Sequence, residues 1–391
     1  MAEDLFQDDL FQDDDDIQLS SQDTNLIVYS RDWTIQTIID QIEQGNIELN
    51  PGFQRRNAWN DNKRSKLIES ILIGYPVPEI VLAEDKHRKK SFIVIDGKQR
   101  LLTIAGYVNN DKYKYWEAKT PLIKGDSRFC GKSYSDISSN PEIRRIFENS
   151  SLRCTVISNY SSDDELYDIF YRLNAASTPL ATQELRQALY RGEFSNYLIR
   201  MTDEDNPIRK VMKLSEADKR LRDVEILLRL ISFIHSAKKY KGNLLKFLDS
   251  TMSDFNKEWS EKENSIEEST KQIYDAILLL KDIFGDFDKV GRKYKGGQIE
   301  QRFNRVLLEV EVFYFRHLIG HELQSDANAH FIESFMNLCD SDSQFMSSLE
   351  GSTKNIENYR VRYSKFYEIF TESYPVVGQI DNPFPISDGR E

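Results

Sequence analysis

The stretch IDGKQRLLTI, residues 95–104, completes the apolar run SFIVI at 91–95 and sets Asp96 and Gly97 directly before Lys98, Gln99 and Arg100. An apolar run ending in Asp-Gly reads as a buried strand, and LLTI reads as a helix running to about Val108. A strand that turns into a helix at a single glycine is a building unit of a mixed α/β domain. The turn also places a helix N-terminus among cations. Such an end offers unpaired N–H groups and the positive pole of the dipole, so anions bind there. Gly97 lets the backbone approach a ligand and accommodates a positive φ. Arg100 supplies a planar fork for a phosphate, Lys98 a compact charge, and Gln99 an amide to orient a phosphate oxygen or a water. Asp96, among cations, is expected to stay ionised and to suit Mg²⁺ or an attacking water. The competing reading makes Asp96 simply the helix N-cap.

Working outward, the flanking pattern alternates between helix and strand from Tyr29 to about Arg200. WTIQTIIDQIEQG (33–45) predicts a helix stopped by Gly45, IELN a short strand, and NDNKRSKLIESILIG (60–74) a helix capped by Asn60 or Asp61 and ended by Gly74. EIVLAE predicts a strand, and the charged hairpin DKHRKK joins it to SFIVI. Further on, SLRCTVIS (151–158) predicts a strand, DDELYDIFYRLN (163–174) a helix, and PLATQELRQALYRG (179–192) another with Thr182 near its cap. Beyond about residue 205 strand signals disappear, and apolar residues recur at i, i+3, i+4, i+7. The fold class expected is therefore α+β: an acidic leader (1–28), an α/β domain (29–204), an all-helical domain (205–380) and a short tail (381–391).

Composition narrows the class. With 39% hydrophobic and 30% charged residues the chain is globular, and no apolar run is long enough to span a bilayer. The acidic start is unlike a secretory signal, so a cytoplasmic location and no membrane partner are expected. Cys130, Cys154 and Cys339 lie far apart without a CxxC pair, which excludes a cysteine zinc site. A net charge of −12 argues against coating nucleic acid by charge alone. Nine of the carboxylates fall within residues 1–24, which hold the tandem DLFQD repeat and no basic residue, so a basic groove elsewhere stays open.

Two further constellations carry candidate chemistry. In NPGFQRRNAW (50–59), Gln54 and Arg55 stand beside Phe53 and Trp59, a set that suits a nucleotide base by stacking and cation–π contact. In IFYRLNAASTPLATQELRQALY (169–190), Arg172, Asn174, Glu184 and Arg186 are polar residues in otherwise apolar helices, with Asn174 and Arg186 at helix edges where a pocket can use them. The pair His317 and His321, spaced i, i+4, has metal-binding spacing, yet no third ligand is evident and packing or solvation explains it better.

The ordered combination PxFQRxxxW, a strand followed by DGxQR and LLTI, and IFxRLN…PLxxQELRxAL resembles the prokaryotic DGQQR-motif family, related to the N-terminal domain of ParB and to sulfiredoxin. That domain forms the first half of GmrSD-type modification-dependent restriction enzymes. The similarity covers roughly residues 29–240. It implies nucleotide binding and hydrolysis in a ParB-like cleft, with Asp96, Gln99 and Arg100 catalytic and Asp96 on Mg²⁺. Gln54, Arg55, Gly97, Lys98, Arg100, Asn174 and Arg186 would hold the phosphates, and Phe53 and Trp59 would stack on the base. Lys98 replaces the family's usual first Gln, which puts the efficiency of hydrolysis in question. The helical half has no HxxP motif of the His-Asn-His nuclease that restriction members carry.

The expected function is an NTPase switch in a prokaryotic DNA defence system, gating a partner nuclease or other effector. Its partners are then a nucleoside triphosphate, DNA and that effector, and a homo-oligomer is expected. The alternative is a non-hydrolysing DNA-binding sensor of modified DNA, and a ParB-like nuclease is a third reading.

Overall fold

A computed structural model describes residues 25–47, 49, 59–86, 88–109, 129, 131–174, 181–351, 355–375 and 380–385. The chain divides into two compact units, within Ile17–Leu189 and Tyr190–Glu391.

The first unit runs β1 (Ile27–Thr34), α1 (Ile35–Glu43), α2 (Asp61–Ile73), β2 (Ile80–Glu84), β3 (Phe92–Asp96), α3 (Lys98–Val108), α4 (Tyr134–Ser138), α5 (Pro141–Asn149), β4 (Ser151–Ser158), α6 (Asp163–Asn174) and α7 (Thr182–Leu189). Its described strands form one sheet in the order β1-β4-β2-β3. β4 runs antiparallel to β1 and parallel to β2, and β2 is antiparallel to β3. Side chains alternate across this sheet. Ile80, Leu82, Phe92, Val94, Leu152, Cys154 and Val156 join the core cluster with the apolar faces of α1 to α3. Ile93 and Ile95 fall outside that cluster, as do Leu166, Tyr167, Phe170 and Leu185 of α6 and α7, the helices that pack on β3. The sheet is thus covered on both faces at its β3 edge.

Local chemistry sets the element ends. Thr34 accepts from the Thr37 N–H at 3.1 Å to cap α1, whose Ile35, Ile38, Ile39 and Ile42 make one buried stripe. Asn60 caps α2 through Lys63, and Gly74 ends it. The helix expected from Trp33 begins only at Ile35, because Trp33 and Thr34 complete β1. Ile47 of IELN makes an isolated bridge to Phe92.

The second unit comprises α8 (Glu193–Asp203), α9 (Pro207–Val211), α10 (Arg222–Ser236), α11 (Leu244–Lys257), α12 (Trp259–Phe284), β5 (Tyr294–Lys295), β6 (Gln298–Ile299), α13 (Arg305–Phe315), α14 (Ser325–Ser341), α15 (Ser343–Glu350) and α16 (Ile356–Ser373). The sequence pattern implies a wholly helical unit, and the structure is helical apart from the short β5–β6 hairpin. Gly296 and Gly297 turn β5 into β6 and hold the Asp340 carboxylate through their N–H groups at 2.7 and 3.1 Å, so the helix expected from Ile299 starts only after the Asn304 cap. α13 is buried from Val306 to Phe315 and packs on α10, α12 and α16, which makes it the centre of the unit. Two carboxylates lie in that centre. Glu309 pairs with Arg229 of α10, and Glu311 accepts the Gly291 N–H at 2.8 Å.

No described helix is long and apolar enough to cross a membrane.

Candidate functional site

The turn after β3 is built by a register break. Val81 opposes Asp96 while its neighbour Leu82 opposes Val94, so Ile95 is the extra residue of a bulge immediately before Asp96. Bulges bend a strand and re-aim the next side chain, and they recur beside functional sites. Gly97 then takes φ +94 and serves as N-cap of α3 without a side chain to fill the role. A Cβ at Gly97 would lie 3.1 Å from Ile80 Cγ1 and 3.2 Å from Arg100 Nη2. Glycine is required both for the dihedral and for the space. In the same unit, side chains of Thr34, Asn60, Ser133 and Asn140 cap α1, α2, α4 and α5. At α3 an intrahelical bond runs from Leu101 N–H to Gly97 O at 3.0 Å, and no side chain caps the turn.

Asp96 is therefore not the N-cap. Its Oδ2 accepts from Arg100 Nη2 at 2.7 Å, and the same Nη2 donates to the Glu79 carbonyl at 2.9 Å. Arg100 is nearly buried, and these two bonds brace the turn. Its Nε and the Oε1 of Gln99 are buried without a hydrogen-bond partner among the described residues. Lys98 is partly exposed by area yet densely surrounded. Burial draws its ammonium below the ordinary lysine range, and the Glu184 carboxylate acts against that.

Glu184 belongs to α7, the helix packed on β3 whose polar residues are all inside. Thr182, Gln183, Glu184, Arg186 and Gln187 are each buried. Ala181 N–H donates to Glu184 Oε2 at 2.8 Å, Arg186 Nη1 to Gln183 Oε1 at 2.6 Å, and Gln183 Nε2 to Gln187 Oε1 at 3.4 Å. Burying such groups is costly unless they bond to one another or to a ligand. The sequence reading picks out Arg186 and mentions Glu184. It misses Gln183 and Gln187, whose signal is an i, i+4 pair of amides flanking the buried Leu185.

The remaining candidates scatter. Trp59 is half-buried and packs against the core cluster. Phe53, Gln54 and Arg55 lie outside the described residues, as does the side chain of Asn174, the last residue of α6. Arg172 is exposed on α6. His317 lies in a 3₁₀ turn and His321 in a bend beyond it, so the two do not share a helix face. Among the described residues no three His, Cys, Asp or Glu side chains gather as a metal site. A divalent ion at Asp96 would need oxygens from a ligand, as Mg²⁺ commonly takes from phosphates.

A bulged strand that ends in Asp-Gly, a helix N-terminus without a side-chain cap and a buried polar helix beside it mark this α+β domain. Residues 35–191 match the family model of the GmrSD restriction endonuclease, N-terminal domain, and this part of the chain is a domain of that family, as its motifs indicate. The match spans the bulge, α3 and α7, and leaves the helical unit almost entirely outside. Among curated proteins none matches the chain.

Proposed function

We propose that the domain within residues 35–191 binds a nucleoside triphosphate with Mg²⁺ at the N-terminus of α3, and that nucleotide state gates an effector of a restriction system. The observation that supports this most is the polar interior of α7 beside Lys98, together with the buried, unpartnered Oε1 of Gln99 at the same turn. The N-terminal N–H groups of α3 receive phosphoryl oxygens, and Lys98 adds a positive charge that the Glu184 carboxylate favours against the effect of burial. Gln99 orients the attacking water. Asp96 has Oδ2 fixed by Arg100 and offers Oδ1 to the metal. Mg²⁺ held there would supply charge neutralisation to the phosphoryl group. Arg100 acts here through Asp96, as a positioning residue.

The test is a thermal-shift screen of the full chain with ATP, GTP, CTP and UTP in Mg²⁺, followed by phosphate release with any nucleotide that stabilises. Ligand at a hundred times its Kd adds about 2.7 kcal/mol to the native state, which a melting curve resolves. Lys98→Ala and Gln99→Ala separate binding from turnover: the first loses the thermal shift, the second keeps it and loses phosphate release. If no nucleotide moves the wild-type melting temperature, the reading is wrong.

A further inference from the structure

The hairpin that joins β2 to β3 lies at the other end of both strands from the Asp96 turn, and nucleotide chemistry makes no use of it. We infer that its tip is a docking element for the backbone of duplex DNA. Lys86, Arg88, Lys89 and Lys90 fall within five positions of a chain whose net charge is −12. All four are exposed, and among the described residues none has a carboxylate within ion-pair distance. Of the two acids before the basic run, Glu84 is engaged elsewhere, its Oε1 accepting from Tyr29 Oη at 2.7 Å.

The tip is ordered by its own bonds. Asp85 N–H donates to the Ser91 carbonyl at 2.9 Å and Ser91 N–H to the Arg88 carbonyl at 3.2 Å, with Lys90 held at φ +66. Tyr160 Oη donates to the Glu84 carbonyl at 2.9 Å, which sets its ring under Lys86, the ammonium lying 3.9 Å from the ring centroid. Arg88 is supported by the turn after α1, where a Cβ on Gly45 would sit 3.7 Å from Nη2. Unpaired like charges repel, so a fixed array of them is stabilised by a polyanion brought against it.

Three partners carry dense negative charge, and shape decides among them. A two-stranded ribbon fits the roughly 12 Å major groove of B-DNA, whereas the major groove of A-form RNA is too deep and narrow for side chains to read. Residues 85–91 contain no apolar side chain, so the tip has nothing to insert into a lipid interface. Choosing DNA rests on the restriction-domain match and is independent of the nucleotide reading.

The experiment is fluorescence anisotropy of a short labelled B-form duplex with the full chain, across a series of KCl concentrations. The wild type binds with an affinity that falls linearly in log salt. Arg88→Ala/Lys89→Ala/Lys90→Ala lowers that slope by roughly two to three and weakens binding at low salt about tenfold or more. Lys257→Ala/Lys271→Ala/Lys289→Ala removes the same charge from exposed lysines of the helical unit and leaves both quantities near wild type. A Lys89→Arg/Lys90→Arg variant retains binding, since charge is kept, and melting curves of all variants stay superimposable because the tip is exposed. The inference is overturned if the hairpin triple keeps the wild-type slope, if the two triples lose affinity alike, or if an A-form RNA duplex of the same length binds as tightly as DNA. Retention of the nucleotide-induced thermal shift by the hairpin triple keeps the two sites distinguishable.

Discussion

Arg100 Nη2 bonds Asp96 Oδ2 at 2.7 Å and the Glu79 carbonyl at 2.9 Å, so one guanidinium nitrogen ties the end of β3 to the residue before β2. Hydrogen bonds to charged groups contribute about 1.5–3 kcal/mol each. Arg100→Ala should cost an amount of that order in urea unfolding and should abolish the response to nucleotide. Glu79→Ala is the control, because it keeps the carbonyl acceptor and removes only the carboxylate bond from Thr155. Its cost should stay below about 1 kcal/mol. Equal losses in the two variants would show that the brace is not Arg100.

Gly97→Ala tests the turn itself. An alanine at φ +94 meets left-handed strain of about 1–2 kcal/mol, and its Cβ crowds Ile80 and Arg100 in addition. We expect a lower urea midpoint with an unchanged m-value, and loss of the nucleotide response. A variant as stable as the wild type would show that the bulge and turn relax freely.

These two residues illustrate what sequence can convey. Asp-Gly after an apolar run fixes a strand-to-helix turn, and β4 and α6 were legible to the residue because their apolar positions keep a clean period. β1 was not legible. It is an edge strand in which Ile27 and Val28 are exposed and Ser30, Arg31 and Asp32 interrupt the alternation, so its only strong specification is pairing with β4. At the site, sequence reads Arg100 as a phosphate fork and Asp96 as a ligand for Mg²⁺ or water, and only the fold shows that this i, i+4 pair is bonded to itself. The amides of α7 fail for a related reason: polar residues on a helix are normally solvated, and only tertiary packing shows that these are inside.

In the helical unit, Arg229 and Glu309 are both fully buried, with Glu225 near enough to share the guanidinium at 3.7 Å. Burial pushes the Glu309 carboxyl up, and Arg229 and Arg362 oppose it. Removing one partner of such a pair costs about 3–5 kcal/mol, since an uncompensated charge stays buried. Glu309→Ala should therefore lower thermal stability steeply. A double Arg229→Met/Glu309→Leu variant should recover most of the loss, and no recovery would mean that Glu309 matters for packing and not for charge.

Glu311 gives a pH dependence with a definite sign. Burial pushes its carboxyl from the ordinary 4.5 up to about 8, against the Gly291 N–H bond and the charge of Arg292, and its Oε1 has no partner among the described residues. The folded protein thus holds this proton more tightly than the unfolded chain. Its contribution is complete below about pH 4.5 and is lost progressively as the pH rises through about 8. Glu311→Gln keeps a carbonyl oxygen for Gly291 and never ionises. Relative to wild type, the variant should gain a few kcal/mol of stability between about pH 5 and pH 8, measured by urea unfolding at fixed ionic strength. Parallel stability curves for the two proteins would mean that Glu311 is ionised in both states, and the interior around α13 would then have to supply a cation to it.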